Sequence, residues 1–483
     1  MVFLIASSRQ VAGFGWIRVA MIACAVAAVG VGILTPAPAV AATERPGGSI
    51  VQLPGREGCL TDRSTPKASC TSVRALLTPG PFLGSRAMGI SPDGRNLYVA
   101  SFKSDAIAVF ARDRQTGRLV QPRGEAGCVS ARGSYGCAQA WGLDGPNSLT
   151  VSPDGRFVSA TSLLASSVTT YRRNEDTGAL TQLAGSRGCI SGTGVPGCAS
   201  ARGLNGPDVI AASSDGQSVY VGSFPGSALA VFQRNRQSGQ LTQLADEAGC
   251  ITAAPASGCS TALAMTAIEG LAVSGDGASV FAAAAGSNAV LAFTRDPVDG
   301  SLAQVGNGYG CVTQATVAGC STGRQLAGAN AVTLSPDDSN VYSTSLISQA
   351  TTSFSRSLTT GGIEQLGGAL GCVVWLGASG CYPARGMRSA EGIAFSPDGL
   401  NAYVAAYGTG GITILNRRPS TGGLAQKPAP WGCVSSSTTD GCERGRGLSG
   451  TGAVAVSPNG RFVYATGAKA NSITVFERKP NGR

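Results

Sequence analysis

Short runs of alternating apolar and polar residues follow one another along the chain, as in AMGIS, RNLYVAS, DAIAVFAR and GRLVQ, with turn residues between them. A period of two sends successive side chains to opposite faces, so each run predicts a short strand and the four together predict one small antiparallel sheet. The link between the first two runs is SPDG, in which Pro presets φ and Asp and Gly suit a tight turn; a TG or equivalent pair separates the third run from the fourth. Helical periodicity over ten or more residues appears only before residue 42, and 69 Gly among 483 residues disfavour helices elsewhere.

The whole pattern then repeats seven times at a constant step of 61 residues, marked by SPDG or its variants SSDG, SGDG, SPDD and SPNG at Ser91, Ser152, Ser213, Ser274, Ser335, Ser396 and Ser457. Such a period belongs to units that cannot bury an apolar face alone and must stack on their neighbours. With four strands per unit, the expected fold is all-β, a seven-bladed β-propeller. The last unit stops after SITVFERKPNG, and a strand-like GSIVQL at Gly48–Leu53 matches the missing fourth run. The N-terminal strand is therefore expected to complete the last blade and close the ring, which removes an open sheet edge.

Residues 1–41 read as an export signal: Arg9 and Arg18 at the start, an apolar stretch from Val19 to Leu34, and small residues at Ala39-Val40-Ala41. Residues 42–483 then form one propeller domain, secreted or held at the cell surface, with no membrane span after signal cleavage and expected to be a monomer. A retained membrane anchor is the alternative use of the apolar stretch. Cys24 falls within the signal, and the other 14 cysteines form one pair per repeat: Cys59/Cys70, Cys128/Cys137, Cys189/Cys198, Cys250/Cys259, Cys311/Cys320, Cys372/Cys381 and Cys433/Cys442. An even count in an exported chain reads as disulfides, and pairing within each short loop is the simplest connectivity. The bridged loops are expected on one face of the ring, around the mouth of the central channel.

A net charge of +10 falls to +8 once Arg9 and Arg18 leave with the signal. Part of it is periodic: Arg112, Arg173, Arg234, Arg295, Arg356, Arg417 and Arg478 each lie 21 residues after the first residue of a turn motif, a recurrence that points to the fold rather than to a ligand. No basic run or aromatic strand platform suggests nucleic acid. The expected partners are a small polar ligand, a glycan or an extracellular protein. Trp141, Trp375 and Trp431, in the bridged loops, suit either sugar stacking or packing beneath those loops.

A site on the axis needs what breaks the symmetry. Five residues before each turn, where the innermost strand enters the channel, stand Arg86, Asn147, Asp208, Glu269, Asn330, Glu391 and Gly452. The six polar members are the candidate ligand-binding residues; they suit a small polar ligand or a hard cation such as Ca²⁺, or they simply cap strands and hold channel water. Four residues after each second cysteine comes another ring, Arg74, Trp141, Arg202, Leu263, Arg324, Arg385 and Arg446. Arg202 is expected to pair with Asp208 and Arg385 with Glu391, leaving Glu269 as the carboxylate without a partner and with a raised pKa.

The run SPDGRNLYVASFKSDAIAVFARDRQTGRLVQ and its six copies resemble the seven-bladed lactonase-type propellers, which include bacterial 6-phosphogluconolactonase, and the related YVTN repeats of exported bacterial proteins. The resemblance covers residues 48–483 and implies metal-independent lactone chemistry in some members, and binding or unknown roles in others. It also implies a histidine at the channel, and this chain has none. An enzyme here would use a carboxylate as general base, Glu269 or Glu391, with Arg86 or another rim arginine stabilising the oxyanion. Ser/His/Asp and Cys/His catalysis are excluded by the same absence. The sequence thus favours an exported binding module with a polar site at the channel mouth, with a lactone hydrolase, a carboxylic ester hydrolase, as the alternative.

Overall fold

The computed structural model describes residues 45–80, 86–377, 380–437 and 440–481, so the signal residues lie outside it. These residues form seven six-stranded sheets, one per repeat, arranged as the blades of a propeller. Blades are numbered here by their turn motif, from blade 1 at Ser91 to blade 7 at Ser457.

Blade 2 shows the plan. Pro146–Val151 is innermost, followed by Phe157–Ser162 and Ser167–Arg173, all antiparallel. The fourth strand comes in two pieces that share the outer edge of the third: Leu180–Gln182 covers one end and Cys189–Ser191 the other, with a one-turn 3₁₀ helix at Gly185–Arg187 between them. A further short strand, Ala199–Ser200, then runs parallel to Cys189–Ser191. The period of two gives the four antiparallel positions, whereas the last addition lies in the cysteine loop, where no alternation marks it.

The ring closes through the N-terminal strand. Ile50–Gln52 pairs antiparallel with the third strand of blade 7, Ile50 opposite Arg478, and Cys59–Asp62 continues along the same edge. The apolar core fills the gaps between blades. Tyr98 and Val109 of blade 1 pack with Leu149, Val158 and Tyr171 of blade 2, and an equivalent cluster fills each of the other gaps. Each blade buries its apolar face only against its neighbours.

The disulfides join the predicted partners, Cys59 to Cys70, Cys128 to Cys137, Cys189 to Cys198, Cys250 to Cys259, Cys311 to Cys320, Cys372 to Cys381 and Cys433 to Cys442, with Cα–Cα distances of 4.6–5.0 Å. Their position corrects the sequence expectation. Three strands separate Cys189 from the channel, so the bridges stand at the outer part of each blade and not around the mouth. The second cysteine of each pair lies farther out still, at the short parallel strand on the blade's edge. Cys198 directly precedes Ala199–Ser200, Cys259 precedes Ser260–Thr261, Cys381 precedes Tyr382–Ala384 and Cys442 precedes Glu443–Arg444, while Cys320 opens Cys320–Thr322. Cys198, Cys259, Cys320, Cys381 and Cys442 therefore fasten each blade's outermost strand to the one inside it, and they do not border the channel. The physical reason is that the cysteine loop is itself drawn into the sheet by parallel pairing, which displaces it outward.

The loop from the preceding blade crosses directly above the bridge of blade 2: Gly142 adopts φ 70°, and a Cβ there would lie 2.6 Å from the Cys189 sulfur. Seven bridges fit an oxidising, exported environment. No helix among the described residues is long and apolar enough to cross a membrane.

Candidate functional site

Asn147, Asp208, Glu269, Asn330 and Glu391 each occupy the second position of an innermost strand. Pairing with the next strand slips at this point in all five blades, for example between Pro146 and Leu149 and between Ile268 and Gly270. A slip of this kind releases one residue from strict alternation and re-aims its side chain. All five side chains are buried, with at most 3% exposure.

Their hydrogen bonds run from blade to blade. Asn147 Nδ2 donates to Asp208 Oδ1 at 2.5 Å and to the Asp208 carbonyl at 3.3 Å. Asn330 Nδ2 donates to the Ala390 carbonyl at 3.2 Å, and its Oδ1 accepts from the Thr344 hydroxyl at 2.8 Å. That hydroxyl also reaches the Glu391 carbonyl oxygen. Glu269 Oε2 and Glu391 Oε2, in contrast, are buried without any hydrogen-bond partner.

Burial governs the protonation of these carboxyls. It pushes Glu269 up to about 9, assisted by the charges of Asp208 and Glu391. Burial raises Asp208 to about 8 against the opposing Asn147 hydrogen bond. Glu391 is raised well above its ordinary value by burial, while Lys469 draws it down. At neutral pH Glu269 and Asp208 are therefore mostly protonated. Among the described residues no group of three or more His, Cys, Asp or Glu side chains is arranged to hold a metal ion.

Two further sequence expectations need correction. Arg202 and Arg385 do not pair with Asp208 and Glu391. Arg202 Nη2 donates to the Leu244 and Asp246 carbonyls, and Arg385 Nη1 to the Gly441 carbonyl, all on the next blade. The guanidinium at this ring position caps the carbonyls of a neighbouring outer loop, as Arg74 does with Pro122 and Gly124. A separate contact holds its backbone: Gln182 Oε1 accepts from the Trp141 N–H at 2.7 Å, so the link survives where the side chain is Trp141 or Leu263. Glu269 is consequently not singled out by lacking an arginine; Asp208 and Glu391 lack one too.

The other correction concerns Arg86. Pro79 bridges Ser101 in blade 1 as Pro146 pairs with Ser162 in blade 2, so Gly80, not Arg86, is the register counterpart of Asn147. Blade 1 carries six extra residues, with 21 from Cys70 to Ser91 against 15 from Cys137 to Ser152. Arg86 ends that insertion. A Cβ on Gly452 would lie 2.5 Å from the Gly80 carbonyl oxygen and 3.0 Å from Glu391 Oε2, so glycine there leaves room for the Glu391 carboxyl.

The Arg86 carbonyl accepts from Leu149 in blade 2, while its Nη2 reaches across to the Val332 carbonyl in blade 5 at 3.4 Å. The residue keeps substantial accessible surface, and desolvation of its guanidinium by the surrounding protein lowers its pKa. Arg86 forms one end of a channel cavity of roughly 360 Å³ whose walls include Met88, Leu271, Val332, Leu334, Phe395 and Val456. The cavity continues along the inner strands to Pro336 in a turn motif, on the far side from the buried polar ring.

Of the tryptophans, Trp141 is 64% exposed, whereas Trp375 Nε1 donates to Asp440 at 3.3 Å and carries Arg388 5.8 Å from its ring centre.

Residues 386–483 match the family model described as "Lactonase, 7-bladed beta-propeller". No curated protein matches the sequence. Among solved structures, one described as a 6-phosphogluconolactonase from Bacteroides uniformis aligns at 20% identity and TM-score 0.51, covering 77% of this chain and 88% of that one. A periplasmic gluconolactonase from Pseudomonas aeruginosa aligns at 17% identity and TM-score 0.49, covering 79% and 93%. The hydrazine synthase of Kuenenia stuttgartiensis aligns at 16% identity and TM-score 0.48, covering 82% and 96%. The fold is thus that of the seven-bladed lactonase-type propellers, and residues 386–483 carry that family's sequence signature.

Proposed function

We propose that the protein is a lactonase-type hydrolase that opens a small lactone in its central channel. The observation that carries this reading is the pair Glu269 and Glu391, two buried carboxyls on the axis, each with an oxygen lacking a partner. Two such electrostatically coupled carboxyls can divide the acid and base roles. Burial raises Glu391 well above its ordinary value; its ionised form, drawn out by Lys469 against that burial, takes a proton from the attacking water. Glu269, protonated at neutral pH, gives its proton to the ring oxygen as the acyl C–O bond breaks. Arg86 supplies guanidinium N–H groups for the developing oxyanion. The product is a hydroxy carboxylate. The name borne by the Bacteroides protein supports this class of reaction, and the disulfides support an extracytoplasmic setting.

The test is hydrolysis of a panel of small lactones by the purified protein beside Glu269→Gln and Glu391→Gln. Turnover that disappears in both variants while their melting curves stay cooperative is the expected result. Unchanged turnover in either variant, or none in the parent, overturns the assignment. The specific observation favouring the second reading, a module that binds a glycan, a small polar ligand or a protein, is the burial of Asp208, Glu269 and Glu391 to at most 3% exposure. Such burial suits structural carboxyls beneath a recognition surface, and Ca²⁺ or another hard cation is a ligand to assay with it.

A further inference from the structure

Arg86 is a cation without a counter-ion. Among the described residues no Asp or Glu lies within ion-pair distance of its guanidinium, and its one hydrogen bond, to the Val332 carbonyl, is long at 3.4 Å. A guanidinium has five N–H donors in a planar fork that matches a carboxylate, and the accessible surface of Arg86 leaves that fork open to an anion.

The cavity beyond it decides which anion. Among the described residues Arg86 is the only charged one lining its roughly 360 Å³, and Thr333 carries the only side-chain hydroxyl; the remaining walls are aliphatic or aromatic side chains and strand backbone. Sulfate or phosphate would find one cationic group and then a lining of strand backbone and apolar side chains. A ligand with a single negative charge and an apolar body satisfies both ends, and the volume lies within the range of small-ligand sites.

We infer that the central channel binds an organic monocarboxylate of medium chain length, its carboxylate on Arg86 and its apolar tail against the partly exposed Leu334, Ile393, Phe395 and Val456 towards the turn-motif face. The inference rests on the channel reading above for its location and gives it a substrate class, since opening a lactone with an alkyl side chain yields such a carboxylate. Binding itself requires no turnover.

Titration calorimetry at pH 7 with butyrate, hexanoate, octanoate and sulfate tests this on the full protein. Affinity is expected to rise with tail length, by about fourfold for each methylene fully buried, and sulfate is expected to bind far more weakly. Arg86→Gln should abolish hexanoate binding, and Thr333→Trp, which fills the cavity but keeps the guanidinium, should weaken octanoate more than butyrate. Circular dichroism and melting establish that both variants fold. Sulfate binding as tight as octanoate, hexanoate binding retained in Arg86→Gln, or no binding of any carboxylate overturns the inference. Carboxylate binding without lactone turnover leaves it standing and removes the hydrolase; turnover without Arg86-dependent carboxylate binding does the reverse.

Discussion

The Arg173 guanidinium meets the carboxylate of Asp93, in the turn motif of the preceding blade, at 2.8 Å, while its Nε donates to the Tyr98 hydroxyl at 3.0 Å. The same cross-blade ion pair joins Arg234 to Asp154, Arg295 to Asp215, Arg356 to Asp276, Arg417 to Asp337 and Arg478 to Asp398. At the joint between blades 7 and 1 the turn is SPNG, so Arg112 has Asn459 where a carboxylate would stand. It bonds the Tyr464 hydroxyl at 2.6 Å, and its Nη2 is buried without a partner. The periodic arginines thus bind blade to blade.

Removing Asp154 strands Arg234, whose side chain is 3% exposed, in the interior. Asp154→Ala is expected to cost about 2 kcal/mol, below the full value for a buried pair because the carboxylate itself is 26% exposed. Asn459→Asp should restore the seventh ion pair and stabilise the protein by up to about 1 kcal/mol. Chemical denaturation of both variants checks the opposite signs.

Two carboxyl populations pull the pH profile in opposite directions. Asp93, Asp154, Asp215, Asp276, Asp337 and Asp398 have folded pKa values depressed below 3.8, held down by side-chain hydrogen bonds and their arginines against the opposing effect of burial. Their stabilisation is present above the unfolded value and is lost as pH falls through the folded one. Glu269 and Asp208 are raised, so their contribution is full below the unfolded value of about 4 and is lost as pH rises towards 9 and 8. Stability is expected to peak near pH 4–5. Glu269→Gln should raise Tm at pH 8 and leave it nearly unchanged at pH 4.5, as scanning calorimetry at the two pH values will show; if Glu269 is the proton donor, turnover should also fall above about pH 9.

Closure makes a separate prediction. Beyond its pairing with blade 7, the N-terminal segment receives a hydrogen bond from the Tyr403 hydroxyl to the Gly48 carbonyl at 2.8 Å, and one from the buried Lys427 to Gly47 at 2.5 Å. Deleting Gly48–Leu53 removes that strand and exposes the edge of the strand at Ser472–Arg478. Loss of a single cooperative transition, with concentration-dependent aggregation by light scattering, is expected.

Each disulfide closes a short loop, and replacing both Cys189 and Cys198 by serine is expected to cost about 2–3 kcal/mol on the chain-entropy model. Because Gly142 packs against this bridge, local hydrogen exchange should increase at residues 139–145 of the preceding loop as well as in the bridged loop itself.

The fold was legible because its signals are local and repeated. Alternation marks strands, SPDG marks turns, and the shared step marks the blades. Ring closure was legible for the same reason, since GSIVQL is a displaced copy of a run seen six times elsewhere. Disulfide partners were legible from spacing, but their radial position was not, because the parallel strand that carries Cys198, Cys259, Cys320, Cys381 and Cys442 outward is too short to show alternation. Register at the channel was harder. Counting back from the turn motif places Arg86 in the ring, but the insertion lies between that motif and the strand entrance, so counting forward from Cys70 would have placed Gly80 there instead. The partners of Arg202 and Arg385 were out of reach because their contacts are backbone carbonyls on the next blade, which carry no residue-type signal. Asp208, Glu269 and Glu391 were found because they vary where everything around them repeats.

The backbone N–H of Gly48 is hydrogen-bonded to the carbonyl of Lys479 at 2.7 Å, so the polypeptide enters and leaves the ring side by side, near the turn motif at Asp398. Anything joined to either end departs from that one spot. A tether there would hold the molecule like a disc on a stalk, with the loop-bearing face turned outward. Tension across both ends would peel the closing strand away one hydrogen bond at a time, instead of loading the whole rim at once.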